Sequence, residues 1–167
     1  FNLKVFNKDF ALDWEKNIVL PYNDDQFVIE EYRVDKKGNV YLLGVVYQDG
    51  VRERRRGKPN YRYSILAYTD KGEIFQEYKL DLEDKFITDL TFRVGNNSDL
   101  ICTGFYSEKG TYSVKGTYFF RLNAKTQEIY NRNLKEFEFE FLTQYYSDRE
   151  IAKAAKAERQ NDSRKEP

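Results

Sequence analysis

The sequence contains no histidine, no methionine and a single cysteine, Cys102. Without histidine, the chain lacks the base of serine–histidine and cysteine–histidine catalysis and the commonest acid–base group at neutral pH. Zinc and copper sites depend largely on histidine and cysteine ligands, so both are excluded as well. A single cysteine cannot form an internal disulfide. The composition therefore indicates no metal site and excludes several large enzyme classes.

Three further patterns are missing. No apolar run approaches the roughly eighteen residues of a membrane-spanning helix, so no transmembrane segment is expected. The 28 basic and 28 acidic residues balance, and a neutral chain does not attract nucleic acid, so no nucleic-acid partner is expected. There is no glycine-rich phosphate loop of the Walker or Rossmann type, and we expect no cofactor. Because the chain opens at Phe1 and lacks methionine, we expect a processed product or a fragment.

What the sequence does contain is an internal repeat. The segment 32–47 recurs sixty residues later at 92–106, with Arg33/Arg93, Val34/Val94 and Gly44/Gly104 identical. In both copies, a strand-like run is followed by a polar turn rich in Gly and Asn and then by an apolar run. A fixed period of this kind marks a repeat architecture, in which each unit buries its apolar face against its neighbours.

The turn signals and the apolar alternation predict four strands in each whole unit. They fall near 27–34, 39–47, 62–69 and 73–81 in the first unit, and near 86–94, 99–107, 116–122 and 127–134 in the second. Residues 2–20 match the second half of a unit. Strict alternation of Phe and Glu over 137–141 predicts one further strand.

These features predict an all-β fold of antiparallel four-stranded repeats, and 28 aromatic residues suit such strands. Four strands per unit are typical of a β-propeller blade, so we expect about two and a half blades of a truncated β-propeller. The alternative is a β-sandwich. The pattern at 34–44 followed by 63–74 resembles blades of exported β-propeller-like proteins of Bacteroidota, over about residues 1–143. The resemblance implies export, to the periplasm, the cell surface or the medium, and it supplies no active site.

The composition changes after Tyr146. Ser147 and Glu150 have the spacing of a capping box, and Ala, Lys and Glu dominate the residues that follow. We therefore predict a short helix over 147–160 and a flexible charged end. This divides the chain into a β-repeat domain, 1–146, and a helical tail or linker, 147–167.

A basic loop between the second and third strands of the first unit is the main candidate binding site. Guanidinium groups suit phosphate, sulfate or carboxylate, and aromatic neighbours offer stacking surfaces. The alternative, which we prefer, is a solvated hairpin loop whose charges prevent edge pairing. The candidate residues for an anion or a partner are Arg52, Arg54, Arg55, Arg56, Lys58 and Arg62, with Tyr61 and Tyr63 at the exit of the loop.

Other reactive side chains have simpler explanations. Cys102 aligns with Leu42 of the other unit, so we expect a small buried hydrophobe rather than a nucleophile. Two carboxylates suffice for glycoside hydrolysis, and Asp35, Asp70 and Asp89 are conceivable members of such a pair. The acidic turns at 23–25 and 96–99 offer oxygen ligands for Ca²⁺ but lack the EF-hand spacing, which favours solvated turns.

The expected function is that of a non-catalytic exported module that binds a protein or glycan partner and packs against the remaining blades of a parent protein. No catalytic residue is assigned. The alternative is a carbohydrate-active hydrolase or lyase whose catalytic carboxylates lie partly outside this chain.

Overall fold

A computed structural model describes residues 1–48, 59–110 and 113–162. The chain forms two compact units, Phe1–Lys135 and Glu136–Pro167. The first unit is all-β. Its described residues form ten strands: β1 (Asn2–Phe6), β2 (Leu12–Asn17), β3 (Phe27–Val34), β4 (Val40–Tyr47), β5 (Tyr61–Thr69), β6 (Ile74–Leu80), β7 (Lys85–Val94), β8 (Leu100–Glu108), β9 (Val114–Leu122) and β10 (Ile129–Glu136).

The strands pair with their neighbours in the sequence. Strands β3 to β6 form one antiparallel four-stranded sheet, β7 to β10 form a second, and β1 and β2 form a hairpin. The eight strands predicted for the two whole repeat units are all present, and the largest displacement of an end is two residues, at β9 and β10. The all-β class and the antiparallel four-stranded units are therefore confirmed.

The two sheets have the same register. Leu42 in β4 lies opposite Leu66 in β5, and its counterpart Cys102 in β8 lies opposite Phe120 in β9. Both Leu42 and Cys102 are buried, as expected. Burial raises the pKa of the Cys102 thiol to about 12, so the thiol is neutral and packs as an apolar side chain.

Each repeat unit packs on the preceding repeat unit through the same face. One core cluster joins the hairpin to the first sheet, and a second cluster joins the first sheet to the second. The residues that the first sheet turns toward the hairpin are Phe27, Val40, Leu42, Val46, Leu66 and Tyr68. Their counterparts in the second sheet, Ile87, Leu100, Cys102, Tyr106, Phe120 and Leu122, all belong to the cluster against the first sheet. We call this arrangement the head-to-tail stack.

The first sheet is covered on both faces. Along β4, Tyr41 and Leu43 belong to the cluster against the second sheet, whereas Val40 and Leu42 belong to the cluster against the hairpin. Successive side chains of a strand point to opposite faces, so a strand covered on both faces needs a continuous apolar run. This explains the unbroken apolar sequence of β4.

The outer face of the second sheet is more polar. Thr103 and Arg121 stand where the first sheet has Leu43 and Ala67. The Thr103 hydroxyl donates a hydrogen bond to the Tyr118 carbonyl at 2.8 Å. The outer face of the second sheet therefore does not repeat the apolar composition of the face that the first sheet buries.

The second compact unit, Glu136–Pro167, contains two helices, α1 (Phe139–Thr143) and α2 (Asp148–Asp162). The strand predicted over 137–141 is therefore wrong. In the structure, Leu142 donates its backbone N–H to the Glu138 carbonyl at 3.1 Å, and the rings of Phe137 and Phe141 lie 5.0 Å apart. Phe137 lies just before α1 and packs on Phe141 within it, and a helix satisfies its backbone groups without a neighbouring strand.

The predicted C-terminal helix is confirmed as α2. The Glu150 carboxylate accepts hydrogen bonds from the backbone N–H and the hydroxyl of Ser147, at 2.9 and 2.6 Å. The boundary between the compact units falls after Lys135, earlier than the composition change after Tyr146, since 139–143 is helical. No helix in the described part of the chain is long and apolar enough to cross a membrane.

Candidate functional site

Most of the predicted basic loop falls between the described segments 1–48 and 59–110. Arg52, Arg54, Arg55, Arg56 and Lys58 lie outside the described residues. The three candidates at its exit, Arg62, Tyr61 and Tyr63, belong to β5.

Arg62 is engaged within the protein. Its guanidinium donates a hydrogen bond to the Tyr22 hydroxyl at 2.8 Å and lies 3.5 Å from Glu77 Oε1. Its Cζ atom also lies 5.9 Å from the centre of the Tyr22 ring, within the range of a cation–π contact. Glu77 accepts further hydrogen bonds from the hydroxyls of Tyr22 and of Ser64, the latter at 2.7 Å. Arg62 therefore joins Tyr22 to the first sheet.

This cluster predicts an acid-sensitive contribution to stability. Burial acts to raise the pKa of Glu77, but the hydrogen bonds from Tyr22 and Ser64 and the charge of Arg62 together hold it below the ordinary 4.5. A lowered pKa means that Glu77 stabilises the fold above its unfolded pKa, and that this contribution is lost as the pH falls through the folded pKa. Glu77→Gln should therefore lower the urea midpoint at about pH 7, and the difference from the unmodified protein should shrink toward about pH 3.

The matched control is Glu73→Gln, which removes only the exposed ion pair with Lys16 at 3.0 Å. Exposed pairs contribute at most about 1 kcal/mol, so this variant should change little at either pH. A Glu77→Gln effect that does not depend on pH would contradict the assignment.

Tyr61 and Tyr63 point to the opposite face of β5. Their hydroxyls lie 3.4 and 3.5 Å from the Thr88 carbonyl of the second sheet. Burial, with smaller effects from Glu30 and other neighbours, raises the pKa of Tyr63 well above its usual range. The structure therefore places these tyrosines between the two sheets and does not bring Arg62 to the same surface.

A different basic site is present where the equivalent turns of the two units meet. A cleft of about 650 Å³ lies between the turn that joins β3 to β4 and the turn that joins β7 to β8. We call it the turn cleft. It is lined by Arg33, Val34, Asp35, Lys36, Lys37, Arg93, Val94, Gly95, Asn96 and Ser98.

Asp35, the acidic residue of the turn cleft, accepts hydrogen bonds from residues of its own turn. The Asp35 carboxylate accepts hydrogen bonds from the backbone N–H of Lys37 at 2.8 Å, and from the backbone and side-chain N–H of Asn39 at 3.0 and 2.9 Å. Gly38 and Ser98, at equivalent places in the two turns, have φ angles of 77° and 70°. Asp35 thus holds the first turn in shape, and both of its carboxylate oxygens are engaged by that turn.

The basic residues of the turn cleft are more available. Among the described residues, no ion pair engages Lys36, Lys37 or Arg93. Arg33 pairs with Glu31, which also accepts a hydrogen bond from Thr91 of the second sheet at 3.0 Å. Ammonium and guanidinium groups on two sides of a concave surface suit a carboxylate, sulfate or phosphate group.

Sequence reasoning missed this site because neither turn alone contains enough basic residues to predict a binding site. The sequence did contain one indication of the site, because both repeat units have an arginine at the same position, Arg33 and Arg93. Equivalent residues of stacked repeat units lie side by side. Only the head-to-tail stack brings Lys36 and Lys37 beside Arg93.

A pair of carboxylates, Glu30 and Asp89, lies near the bulges of β3 and β7. The register shifts between Ile29 and Glu31 in β3. Burial raises the pKa of the Glu30 carboxyl and the charge of Asp89 raises it further, whereas a hydrogen bond with Tyr63 acts in the opposite direction. Glu30 was not predicted, because a bulge has no clear mark in this sequence.

The other predicted carboxylates serve in turns. Asp35 closes the first turn, as described above, and Asp70 has a φ angle of 50° in the turn between β5 and β6. Asp99, in the acidic turn considered for Ca²⁺, accepts hydrogen bonds from Tyr130 and from the side chain of Asn97. Within the described ranges, no group of three or more His, Cys, Asp or Glu side chains is placed to hold a metal ion.

Comparisons with known proteins add no assignment. No family model, no curated protein and no solved structure matches the chain. The case for function therefore depends on the geometry of the chain itself.

Proposed function

We propose that this chain is a non-catalytic repeat module of the β-propeller type, from an exported protein, which binds an acidic glycan through the turn cleft. The observation that carries the proposal is the meeting of basic side chains from two equivalent turns in one cleft. Export follows only from the resemblance to propeller-like proteins of Bacteroidota.

The head-to-tail stack supports the propeller arrangement over the sandwich. The two sheets of a sandwich pack with their inner faces toward each other. Here Leu42 faces the hairpin whereas its counterpart Cys102 faces the first sheet, so each unit presents the same face to the unit before it. Radial repetition of blades produces this relation.

The shape and charge of the turn cleft support an acidic glycan as the ligand. A concave site of about 650 Å³ has the size of a small-ligand pocket, whereas a stable protein interface needs roughly 800 Å² on each partner. The chain as a whole is neutral, so the basic cleft is a local feature. Sulfate or uronate groups on sugar rings match its ammonium and guanidinium groups.

The proposal predicts that a sulfated glycan binds with a strength set by the turn cleft. Replacing Lys36, Lys37 and Arg93 with Ala should weaken binding to heparin about tenfold, since three exposed charge contacts contribute roughly 0.5 kcal/mol each. The salt dependence of the remaining binding should also become shallower. Titration by calorimetry at two salt concentrations measures both effects, and circular dichroism checks the fold.

A variant with the same change in charge provides the control. Lys71, Lys109 and Lys125 are exposed and stand in three other turns. Their replacement with Ala should leave heparin binding within about twofold. Equal losses in the two triple variants would contradict a specific site, and equally tight binding of an acidic peptide would contradict the choice of a glycan.

The second candidate is a carbohydrate-active hydrolase or lyase, and the Glu30–Asp89 pair favours it. A carboxyl of raised pKa near a second carboxyl group is the arrangement that glycoside hydrolysis uses. Screening the chain against polysaccharides tests this candidate. Turnover that Glu30→Gln abolishes, in a variant that still folds, would favour the enzyme over the binding module.

A further inference from the structure

The two arginines of the turn cleft differ in the residue that stands beside them. Arg33 and Arg93 occupy equivalent positions near the ends of β3 and β7. Two residues before Arg33 is Glu31, whereas two residues before Arg93 is Thr91. Side chains two residues apart point to the same face of a strand. The first repeat unit therefore places a carboxylate beside its arginine, and the second places a hydroxyl group there.

Glu31 is held from two sides. Its carboxylate forms an ion pair with the Arg33 guanidinium, and its Oε2 atom accepts a hydrogen bond from the Thr91 hydroxyl at 3.0 Å. Because Thr91 belongs to the second sheet, this carboxylate is bound to both repeat units. An ion pair between two free side chains loses rotamer entropy on both sides. Here the hydrogen bond from Thr91 already restricts Glu31, so less entropy is lost when Arg33 pairs with it.

The two partners of this ion pair differ in exposure. The Arg33 side chain is 50% exposed and lines the turn cleft, whereas the Glu31 side chain is only 21% exposed. Water and salt screen a partly buried pair less than they screen an anion that arrives from solvent. A ligand anion at Arg33 must therefore compete with a carboxylate that is already in place. Lys36, Lys37 and Arg93 have no such competitor among the described ion pairs.

We propose that Glu31 is a specificity-determining residue of the turn cleft, which holds Arg33 as an internal counter-ion and confines a bound anion to Lys36, Lys37 and Arg93. The inference rests on the proposed glycan binding for the class of ligand. It adds that the cleft selects glycans with widely spaced sulfate or uronate groups. A second anion close to the first gains nothing from Arg33 unless it displaces Glu31, and the two anions repel each other.

Inorganic sulfate tests the state of Arg33 without any glycan. The observable is the Nε–H resonance of each arginine in nuclear magnetic resonance, assigned with the variants Arg33→Lys and Arg93→Lys. In the unmodified protein, sulfate should shift the resonance of Arg93 and leave that of Arg33 in place. In Glu31→Gln it should shift both, because the Gln amide oxygen still accepts the hydrogen bond from Thr91 but carries no charge to hold Arg33.

Glycan affinity provides the second measurement. Glu31→Gln should bind a heparin-derived hexasaccharide about fivefold more tightly, which is the gain from one charge-assisted contact at a partly exposed site. A hyaluronan hexasaccharide, whose carboxylates lie one to each disaccharide, should gain less than about twofold, since it offers no second anion nearby. The double variant Glu31→Gln/Arg33→Gln should return the heparin affinity to within about twofold of the unmodified protein, because the released guanidinium is gone.

The matched control is Glu73→Gln. It makes the same change in charge and also releases a basic side chain, Lys16, from an ion pair at 3.0 Å. Neither residue belongs to the set that lines the turn cleft. This variant should leave the heparin affinity within about twofold and the response of Arg33 to sulfate unchanged. Circular dichroism checks the fold of each variant.

Three results would overturn the proposal. The first is a sulfate response of Arg33 that is the same in the unmodified protein and in Glu31→Gln. The second is equal tightening by Glu73→Gln, and the third is a double variant that binds heparin as tightly as Glu31→Gln, since a general loss of negative charge would then explain the gain. If neither hexasaccharide binds while sulfate still reaches Arg33 only in Glu31→Gln, the proposed glycan ligand is wrong and the role of Glu31 is supported.

Discussion

Gly104→Ala is expected to destabilise the protein by about 3 kcal/mol or more. A Cβ atom at this position would lie 2.0 Å from the backbone oxygen of Asp89, which cannot move without displacing β7. The equivalent Gly44 is as crowded, since its Cβ would lie 2.3 Å from the Phe27 ring. The glycine shared by the two repeat units thus allows close packing at the bulges of β3 and β7.

Gly95→Ala provides the comparison. Its nearest neighbour would be the Asn97 side chain at 3.1 Å, and it needs no positive φ angle. The expected cost is below about 1 kcal/mol. Urea unfolding followed by the fluorescence of Trp14, the single tryptophan, measures both variants. Similar midpoints for Gly104→Ala and Gly95→Ala would contradict the close packing of β7 and β8.

Phe120→Ala should cost about 3–5 kcal/mol, whereas Phe119→Ala should cost less than about 1 kcal/mol. The two residues are adjacent in β9 but face opposite sides of the second sheet. Phe120 is fully buried against the first sheet, and Phe119 is 36% exposed on the outer face. Removal of a buried ring leaves a cavity, whereas removal of a partly exposed ring mainly changes its contact with solvent.

The comparison between these two variants tests the direction of the head-to-tail stack. Thermal unfolding of both variants at one protein concentration gives the difference directly. A larger loss for Phe119→Ala would mean that the second sheet packs through its other face.

Local chemistry made the strands of the first unit predictable. The turn at 35–39 contains an Asp whose side chain caps the turn and a Gly with a positive φ angle, and both are visible in the sequence. The equivalence of Leu42 and Cys102 followed from the repeat, because equivalent positions in equivalent strands share one register.

One feature that sequence reasoning missed is a local helix, and the others depend on distant contacts. Residues 137–141 alternate as a strand does, but their backbone is satisfied by helical hydrogen bonds. The turn cleft and the Glu30–Asp89 pair need two units to be stacked in one direction, which periodicity within a unit does not specify. Strand alternation predicts that Arg62 and Tyr63 lie on opposite faces of β5. It does not predict which neighbouring element packs against each face.

The direct test of the account is the map of a bound acidic glycan on the protein. Backbone amide shifts in nuclear magnetic resonance, recorded during titration with a heparin-derived hexasaccharide, provide that map. We expect the amides of both turns, 35–38 and 95–98, to shift together with one affinity, while the amides of Asn2 and Lys4 in β1 stay unchanged. Shifts confined to one turn, or spread over the exposed lysines of other turns, would contradict a glycan site shared by two repeat units.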